Sequence, residues 1–293
     1  MDKQDLMTMI KQKFPRLSKG QKLIGEYILK HYDKAAFMTA SKLGDTVGVS
    51  ESTVVRFAYE LGFDGFPQLQ KALQDLIKNK LTSVQRIELS GDISEENVLK
   101  NVLRADMDNI RATLEKINPK TFDDVVEAIF KAKKIYIVGF RSSQALADFL
   151  GFYLNLILEN VIVISTNGVS DIFEQLFRIN SDDMVIGIAF PRYSSYTIRS
   201  LEYAKKKYAK IVAITDSLLS PLATYADYTL IAQGNMVSFV DSLVAPLSVI
   251  NALIVAAGLK EKEKTAETFN MLEKIWSEYN IYTYKNKGTD SEK

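Results

Sequence analysis

The chain has 293 residues, of which 47% are hydrophobic and 25% charged, with a net charge of +1; this is ordinary for a soluble globular protein and long enough for two domains with separate cores. It holds no cysteine, which excludes disulfides, thiolate nucleophiles and zinc–thiolate centres and fits the cytoplasm. No apolar run is long enough for a transmembrane helix, and Asp2, Lys3 and Asp5 come too early for a secretory signal, so no membrane partner, cofactor or metal is expected.

The charge is unevenly spread. Residues 1–80 hold 13 Lys/Arg and 9 Asp/Glu, a net +4, and the remainder is net −3. A mildly basic head on a mildly acidic body suits a DNA-binding module attached to something else. The head reads as all-α. Ser18 caps a helix carrying Leu23, Ile24, Tyr27 and Ile28 at helical spacing. A short segment, Ala35 to Phe37, leads to the most informative stretch, Leu43 to Phe57. There Leu43 and Val47 place an apolar stripe at i, i+4, Gly48 stops the helix where the chain needs φ > 0, and Val49 fills the angle. Ser50 is expected to cap the next helix by accepting from a free backbone N–H. Val54, Phe57, Ala58 and Leu61 form its buried face, leaving Glu51, Ser52, Thr53, Val55, Arg56 and Glu60 to face outward or sideways.

This pattern reads as a helix-turn-helix, whose second helix enters the major groove of double-stranded operator DNA. Ser50, Ser52, Thr53 and Arg56 are the candidate DNA contacts. An ordinary αα-corner uses the same glycine and cap. Gly44 stands where such motifs usually hold alanine; it allows close approach of the helices and costs about 1 kcal/mol of helix propensity. Beyond the motif, Gly62 to Pro67 makes a turn whose Phe63 and Phe66 pack on the helices, and Pro67 opens a helix running to about Lys80.

Residues 81–93 show no clear period and read as a linker. The body spans 94–285, with a disordered polar tail at 286–293. Ser94 starts a long amphipathic helix carrying Val98, Val102, Ala105, Met107 and Ile110, and a shorter one follows Pro119. Five apolar runs come next: Ile135 to Gly139, Val161 to Ile164, Met184 to Ala189, Ile211 to Thr215 and Tyr228 to Ile231. Four helical stretches separate them, the last spacer being short. Apolar strands alternating with helices indicate an α/β body, a five-stranded parallel sheet covered on both faces. Helices from about Phe239 to Leu259, and one ending near Tyr279, close it.

Ligands of such sheets sit at the carboxyl ends of strands, near a switch in strand order. Two strand ends here carry suitable chemistry. One is Gly139-Phe140-Arg141-Ser142-Ser143, the other Arg192-Tyr193-Ser194-Ser195-Tyr196-Thr197. Each leads into a helix whose free N–H groups, dipole and hydroxyls suit an anion, with an arginine at hand. Capping alone would also explain the hydroxyls. Neither loop has the lysine of a phosphate-binding P-loop or the spacing of a dinucleotide fingerprint.

These residues also carry a family likeness. Gly48-Val49-Ser50, Thr53 to Phe57, Leu61-Gly62-Phe63 and Gly65-Phe66 in the head, with Gly139, Ser142, Ser143, Ser194 to Thr197, Asp216, Pro221-Leu222-Ala223 and Ala226-Asp227 in the body, resemble the RpiR family of bacterial transcriptional regulators. The resemblance covers most of the chain and implies a helix-turn-helix head on a sugar-isomerase (SIS) body of flavodoxin-like, doubly wound fold. It implies sugar-phosphate contacts at Ser142, Ser143, Ser194, Ser195 and Thr197, and a homo-oligomer, dimer or tetramer. The family's second loop has a Ser-Gly-x-Thr core; here Ser195 replaces the glycine, and Arg192 and Tyr193 are additions that also suit a carboxylate.

A regulator must be weighed against a sugar-phosphate isomerase-like enzyme with a helical appendage. Aldose–ketose isomerisation needs a base for a carbon-bound proton and commonly a histidine for ring opening. The single histidine, His31, lies in the head. Glu159 and Glu174 fall in helix interiors or ends, and Glu174 reads as solvent-facing. A binding domain without catalytic residues is therefore expected: a transcriptional regulator that senses a small anionic metabolite, a sugar phosphate or related sugar acid.

Overall fold

The computed structural model describes residues 3–77, 84, 86, 87, 97–165, 169–236 and 238–282. The chain divides into two compact units, Met1–Glu95 and Glu96–Lys293. The helix end at Lys78–Lys80, most of the linker at 81–93, Ser94 and the tail at 286–293 lie outside the described residues.

The head comprises α1 (Lys3–Lys13), a 3-10 turn (Phe14–Arg16), α2 (Lys19–Ala35), α3 (Ala40–Val47), α4 (Glu51–Leu61) and α5 (Phe66–Ile77). Leu6 and Ile10, one helical turn apart, bury the inner side of α1, a helix not singled out from the sequence. Ser18 opens α2 with a capping box: its hydroxyl accepts from the Gln21 backbone N–H, and the Gln21 side-chain Oε1 accepts from the Ser18 N–H at 3.0 Å. The buried face of α2 is Ile24 and Ile28, whereas Leu23 stays 42% exposed. The expected core of α4 is in place, with Val54, Phe57, Ala58 and Leu61 all buried, and Phe63 and Phe66 close the corner after it.

The body comprises α6 (Val98–Lys116), α7 (Pro119–Lys131), β1 (Ile135–Gly139), α8 (Ser142–Leu154), β2 (Val161–Ile164), α9 (Val169–Leu176), β3 (Met184–Ile188), α10 (Ser195–Lys206), β4 (Lys210–Thr215), β5 (Tyr228–Ile231), α11 (Val244–Lys260) and α12 (Lys262–Glu278). All strand pairs are parallel, in the order β2-β1-β3-β4-β5. This is the flavodoxin-like doubly wound order. Alternate strand residues feed opposite faces. Ile135, Ile137, Ile186, Val212 and Ile214 pack with Val125, Leu150 and Leu253 of α7, α8 and α11. Tyr136, Val138, Val185, Ile211 and Ala213 pack with Ile172 and Leu201 of α9 and α10.

Three sequence expectations are corrected. Three helices, not four, separate the strands, because turns alone join β4 to β5. The helix expected from Phe239 begins at Val244, with Phe239 56% exposed before it, and α12 buries no residue, so it does not close the core. On α6 the expected apolar stripe is split: Val98, Met107 and Ile110 are 45%, 58% and 40% exposed, Val102 and Ala105 are half-buried, and the fully buried residues are Asn109 and Thr113. The inner face of α6 is mixed: Val102, Ala105 and Ala112 are half-buried on the side that packs against α11, and Asn109 and Thr113 meet the backbone groups of the stretch before it. Among the described residues no single helix is long and apolar enough to cross a membrane.

Candidate functional site

In the head, Gly48 ends α3 at φ 77°, ψ 36°, the left-handed region that favours glycine. The Val49 N–H then donates to the Gly44 carbonyl at 2.9 Å, folding the turn back on α3. A Cβ at residue 44 would stand 2.7 Å from the Val49 carbonyl oxygen, so this corner uses glycine for its close approach. Ser50 has the extended backbone of a cap, but its side chain accepts from no helix N–H. Its hydroxyl instead lies 2.9 Å from both the Ser52 and Thr53 hydroxyls. The neighbouring hydroxyls outcompete the amide, and the Ser50 carbonyl takes the N–H groups of Thr53 and Val54. Arg56 is exposed, and its Nε donates to the Ser52 carbonyl at 3.2 Å. The four sequence-derived DNA candidates are thus gathered at the opening turns of α4, where the helix dipole adds partial positive charge.

In the body, strand order reverses between β1 and β3, which are neighbours with Gly139 opposite Ile188. Both candidate loops leave the carboxyl ends of these two strands. In the first, a Cβ at Gly139 would meet the Ser143 carbonyl oxygen at 2.6 Å, so only glycine lets α8 begin this close to β1. Replacing it with alanine is expected to cost about 1–3 kcal/mol of overpacking, read as a lower unfolding midpoint of the body; an unchanged midpoint would refute the close approach. Phe140 is buried on the α9/α10 side of the sheet. Arg141 follows at φ 59°, exposed. Ser142 donates to the Asp241 carboxylate at 3.3 Å, and Ser143 is buried.

In the second loop, Phe190 is buried on the opposite side of the sheet. Arg192 has φ 70° and is exposed. Positive φ outside glycine is uncommon and concentrates at functional sites; here it recurs at an arginine in each loop. The Tyr193 hydroxyl donates to Asp216 at 2.7 Å. Ser194 caps α10, its hydroxyl accepting from the Tyr196 N–H at 3.3 Å, and Ser195 is exposed. Thr197 is fully buried, and its hydroxyl has no hydrogen-bond partner among the described residues. A buried polar atom left so costs about 1–3 kcal/mol. The Phe140 and Tyr196 rings meet edge to face at 5.9 Å, joining the two loops.

Sequence reasoning missed Asp241, which reaches the first loop, and Gln233, which reaches Asp216 at the end of β4, both from the stretch after β5; no strand-end motif marks that stretch. Of the acids weighed for catalysis, Glu174 is exposed and Glu159 pairs with Lys264 at 3.5 Å. Neither joins the loops. His31 is exposed on α2 at a non-helical φ of −138°.

Comparison with known proteins follows these two units. The model of the helix-turn-helix domain of the rpiR family matches residues 4–80, and that of the SIS domain matches residues 128–256. An HTH-type transcriptional regulator of Haemophilus influenzae is 27% identical over 274 residues, covering 90% of this chain and 93% of its own. The sugar isomerase domain of the RpiR transcription factor from Sphaerobacter thermophilus is 28% identical, with a TM-score of 0.58 over 61% of this chain and 99% of its own. NanR of Vibrio vulnificus, solved with ManNAc-6P, shares the fold at a TM-score of 0.58 and 18% identity, over 95% of this chain and 100% of its own. The chain belongs to the RpiR family of transcriptional regulators, a helix-turn-helix head joined to a SIS domain.

Proposed function

We propose that the head, residues 1–80, binds operator DNA and that the body, residues 94–285, senses a small anionic metabolite that alters operator affinity. The observation carrying this reading is the meeting of two arginine- and serine-bearing loops at the switch point of the sheet, the second opening a helix whose first turn holds the buried, unsatisfied hydroxyl of Thr197. The effector class is a sugar phosphate or related sugar acid. ManNAc-6P in the similarly folded NanR supports that class, and guanidinium forks at Arg141 and Arg192 suit phosphate or carboxylate alike. Catalysis is not part of the reading: the body contains no histidine and no cysteine, and no turnover of hexose or pentose phosphates is expected. The protein acts in the cytoplasm.

Calorimetry with a panel of sugar phosphates and sugar acids, on wild type and on Ser142→Ala, Ser194→Ala and Arg192→Ala, tests the sensor. The wild type should bind at least one, with the three variants weakened. If all three variants bind like wild type, the pocket lies elsewhere. Linkage requires operator DNA to change ligand affinity by the factor by which ligand changes operator affinity.

The DNA contacts are tested separately. Arg56→Ala and Thr53→Ala should weaken operator binding without unfolding the head, because Arg56 is exposed and Thr53, beside Gly20 of α2, is only half-buried. A lost base contact by Arg56 should cost about 1–3 kcal/mol and relax specificity; a lost phosphate contact should weaken all sequences evenly and reduce the salt slope. Gel shifts across salt concentrations distinguish the two, and unchanged affinity in both variants removes α4 from the groove.

The working form is a homo-oligomer, dimer or tetramer, in which paired heads read two half-sites. The outward face of α6, with Leu99 74%, Leu103 54% and Leu114 76% exposed, offers an apolar surface for it. Light scattering at micromolar concentration should give at least twice the chain mass, and a monomer with and without DNA would refute it.

A further inference from the structure

Helix α6 is the first helix of the body after the head among the described residues, and besides its packing against α11 its inner face carries a set of hydrogen bonds. Ser242 donates to Asp106 at 2.6 Å. Asn109 donates to the Asn235 carbonyl at 2.9 Å and accepts from the Asn235 N–H at 3.0 Å. The Gln233 N–H donates to the Thr113 hydroxyl at 2.8 Å. Asn109 and Thr113 are 1% and 5% exposed. All the partners come from one stretch, between β5 and α11.

The same stretch bonds the first candidate loop directly and reaches the second through Asp216. The Gln233 side chain donates to the Asp216 carbonyl at 2.9 Å, while the Asp216 carboxylate accepts from Tyr193 in the second loop at 2.7 Å. Asp241 accepts from Ser142 in the first loop at 3.3 Å, and its chain neighbour Ser242 holds Asp106. The Asp241–Ser242 pair therefore has one hold on the first loop and one on α6, whereas Gln233 holds α6 and the carboxyl end of β4, where Asp216 in turn holds Tyr193.

We propose that this stretch transmits ligand occupancy of the loops to α6, and that the ligand acts on it by taking the Ser142 hydroxyl from Asp241. The proposal rests on the effector reading of the loops. A serine hydroxyl has one proton to donate. An anion that accepts it removes it from Asp241 and also places a like charge beside that carboxylate, which repels it. The displaced Asp241 pulls on Ser242 and so on its bond to Asp106. The seam runs from the exposed Ser142–Asp241 bond through the part-buried Ser242–Asp106 bond to the buried Asn109 and Thr113, so a ligand reaches its outer end from solvent while its inner end has few alternatives to the bonds it makes. α6 is the element of the body that follows the head in chain order.

Hydrogen exchange on the full-length protein, followed by mass spectrometry, tests the transmitter without knowing the natural ligand. Ser142→Ala, remote from α6 in sequence, should speed exchange of the amides of residues 106–116 by about 2- to 10-fold, the factor one net hydrogen bond is worth. Ser242→Ala should do the same, Ser242→Thr should restore the wild-type rate, and the double Ala variant should be no faster than Ser242→Ala alone. Wild-type exchange in α6 of Ser142→Ala, or factors that multiply in the double variant, would overturn the proposal. A second arm uses millimolar inorganic phosphate. In wild type it should slow exchange at Ser142–Leu146 and alter it in α6; in Ser242→Ala it should slow only the loop. A protected loop with an unresponsive α6 in wild type also overturns the transmitter. If phosphate leaves the loop unprotected, the anion reading of that loop fails, and the ligand-free arm still decides the transmitter.

Discussion

Phe57→Ala should unfold the head and abolish operator binding while leaving the body folded. Phe57 is the largest fully buried side chain of the head, with no exposed surface, and it sits on α4 beside Val54, Ala58 and Leu61. Truncating a buried phenylalanine removes its transfer free energy and leaves a cavity, at about 3–5 kcal/mol. A domain this small has about 5–15 kcal/mol in all, and the lower end of that range leaves little after the loss. At about 4–8 °C per kcal/mol for a domain of 60–100 residues, the head transition should fall by roughly 12 °C or more. Scanning calorimetry should show one transition displaced and the other in place, as expected of two compact units. A joint shift of both would show that the units unfold together, and unaltered operator affinity would remove α4 from the DNA interface.

Phe140→Ala should have an effect of similar size in the body and should also weaken anion binding. Phe140 is 6% exposed, packs among Val138, Ile164 and Leu201 below the first loop, and meets Tyr196 of α10 edge to face at 5.9 Å. Core truncation costs about 3–5 kcal/mol, and an edge-to-face pair adds about 0.5–1.5 kcal/mol beyond its area. Because this ring pair joins the two loops, its loss should loosen their spacing as well as the core. Phe140→Leu separates the effects: it should recover most of the melting temperature and little of the affinity, since the aromatic contact stays absent. Thermal melts and titrations with sugar phosphates read both quantities. A Phe140→Ala protein that melts like wild type would place the side chain outside the core.

The seam on α6 makes the first helix of the body, the first loop and Asp216 parts of one hydrogen-bonded system, through the Asp241–Ser242 pair and Gln233. If the ligand acts there, its effect on DNA need not arise from movement of the sheet. The two arginines at positive φ, Arg141 and Arg192, bear on the same point. Held in sparsely populated backbone conformations, they belong to loops whose shape is set by surrounding contacts, and a change in those contacts changes where the charges stand.

Much of this was legible in the amino-acid sequence because local chemistry settles it. Runs such as Ile135 to Val138 and Ile211 to Ile214 are apolar on both strand faces, and only a sheet covered on both sides accommodates that. Gly48 and the spacing of Val54, Phe57, Ala58 and Leu61 define the helix-turn-helix, because a left-handed stop and a 3.6-residue period act within a few residues. Other features were decided only by the tertiary structure. The Ser50 hydroxyl had several acceptors and donors within reach, and the rotamers of Ser52 and Thr53, rather than residue type, chose among them. The apolar residues of α6 suggested which face would be buried, yet the face that docks carries Asn109 and Thr113, whose partners Asn235 and Gln233 lie 126 and 120 residues away. Periodicity reports which residues avoid water; it says nothing of which surface the fold brings against a helix. A polar face becomes the inner one only when the chain folds so that unsatisfied backbone groups arrive opposite it, and that is a long-range geometric fact with no local signature.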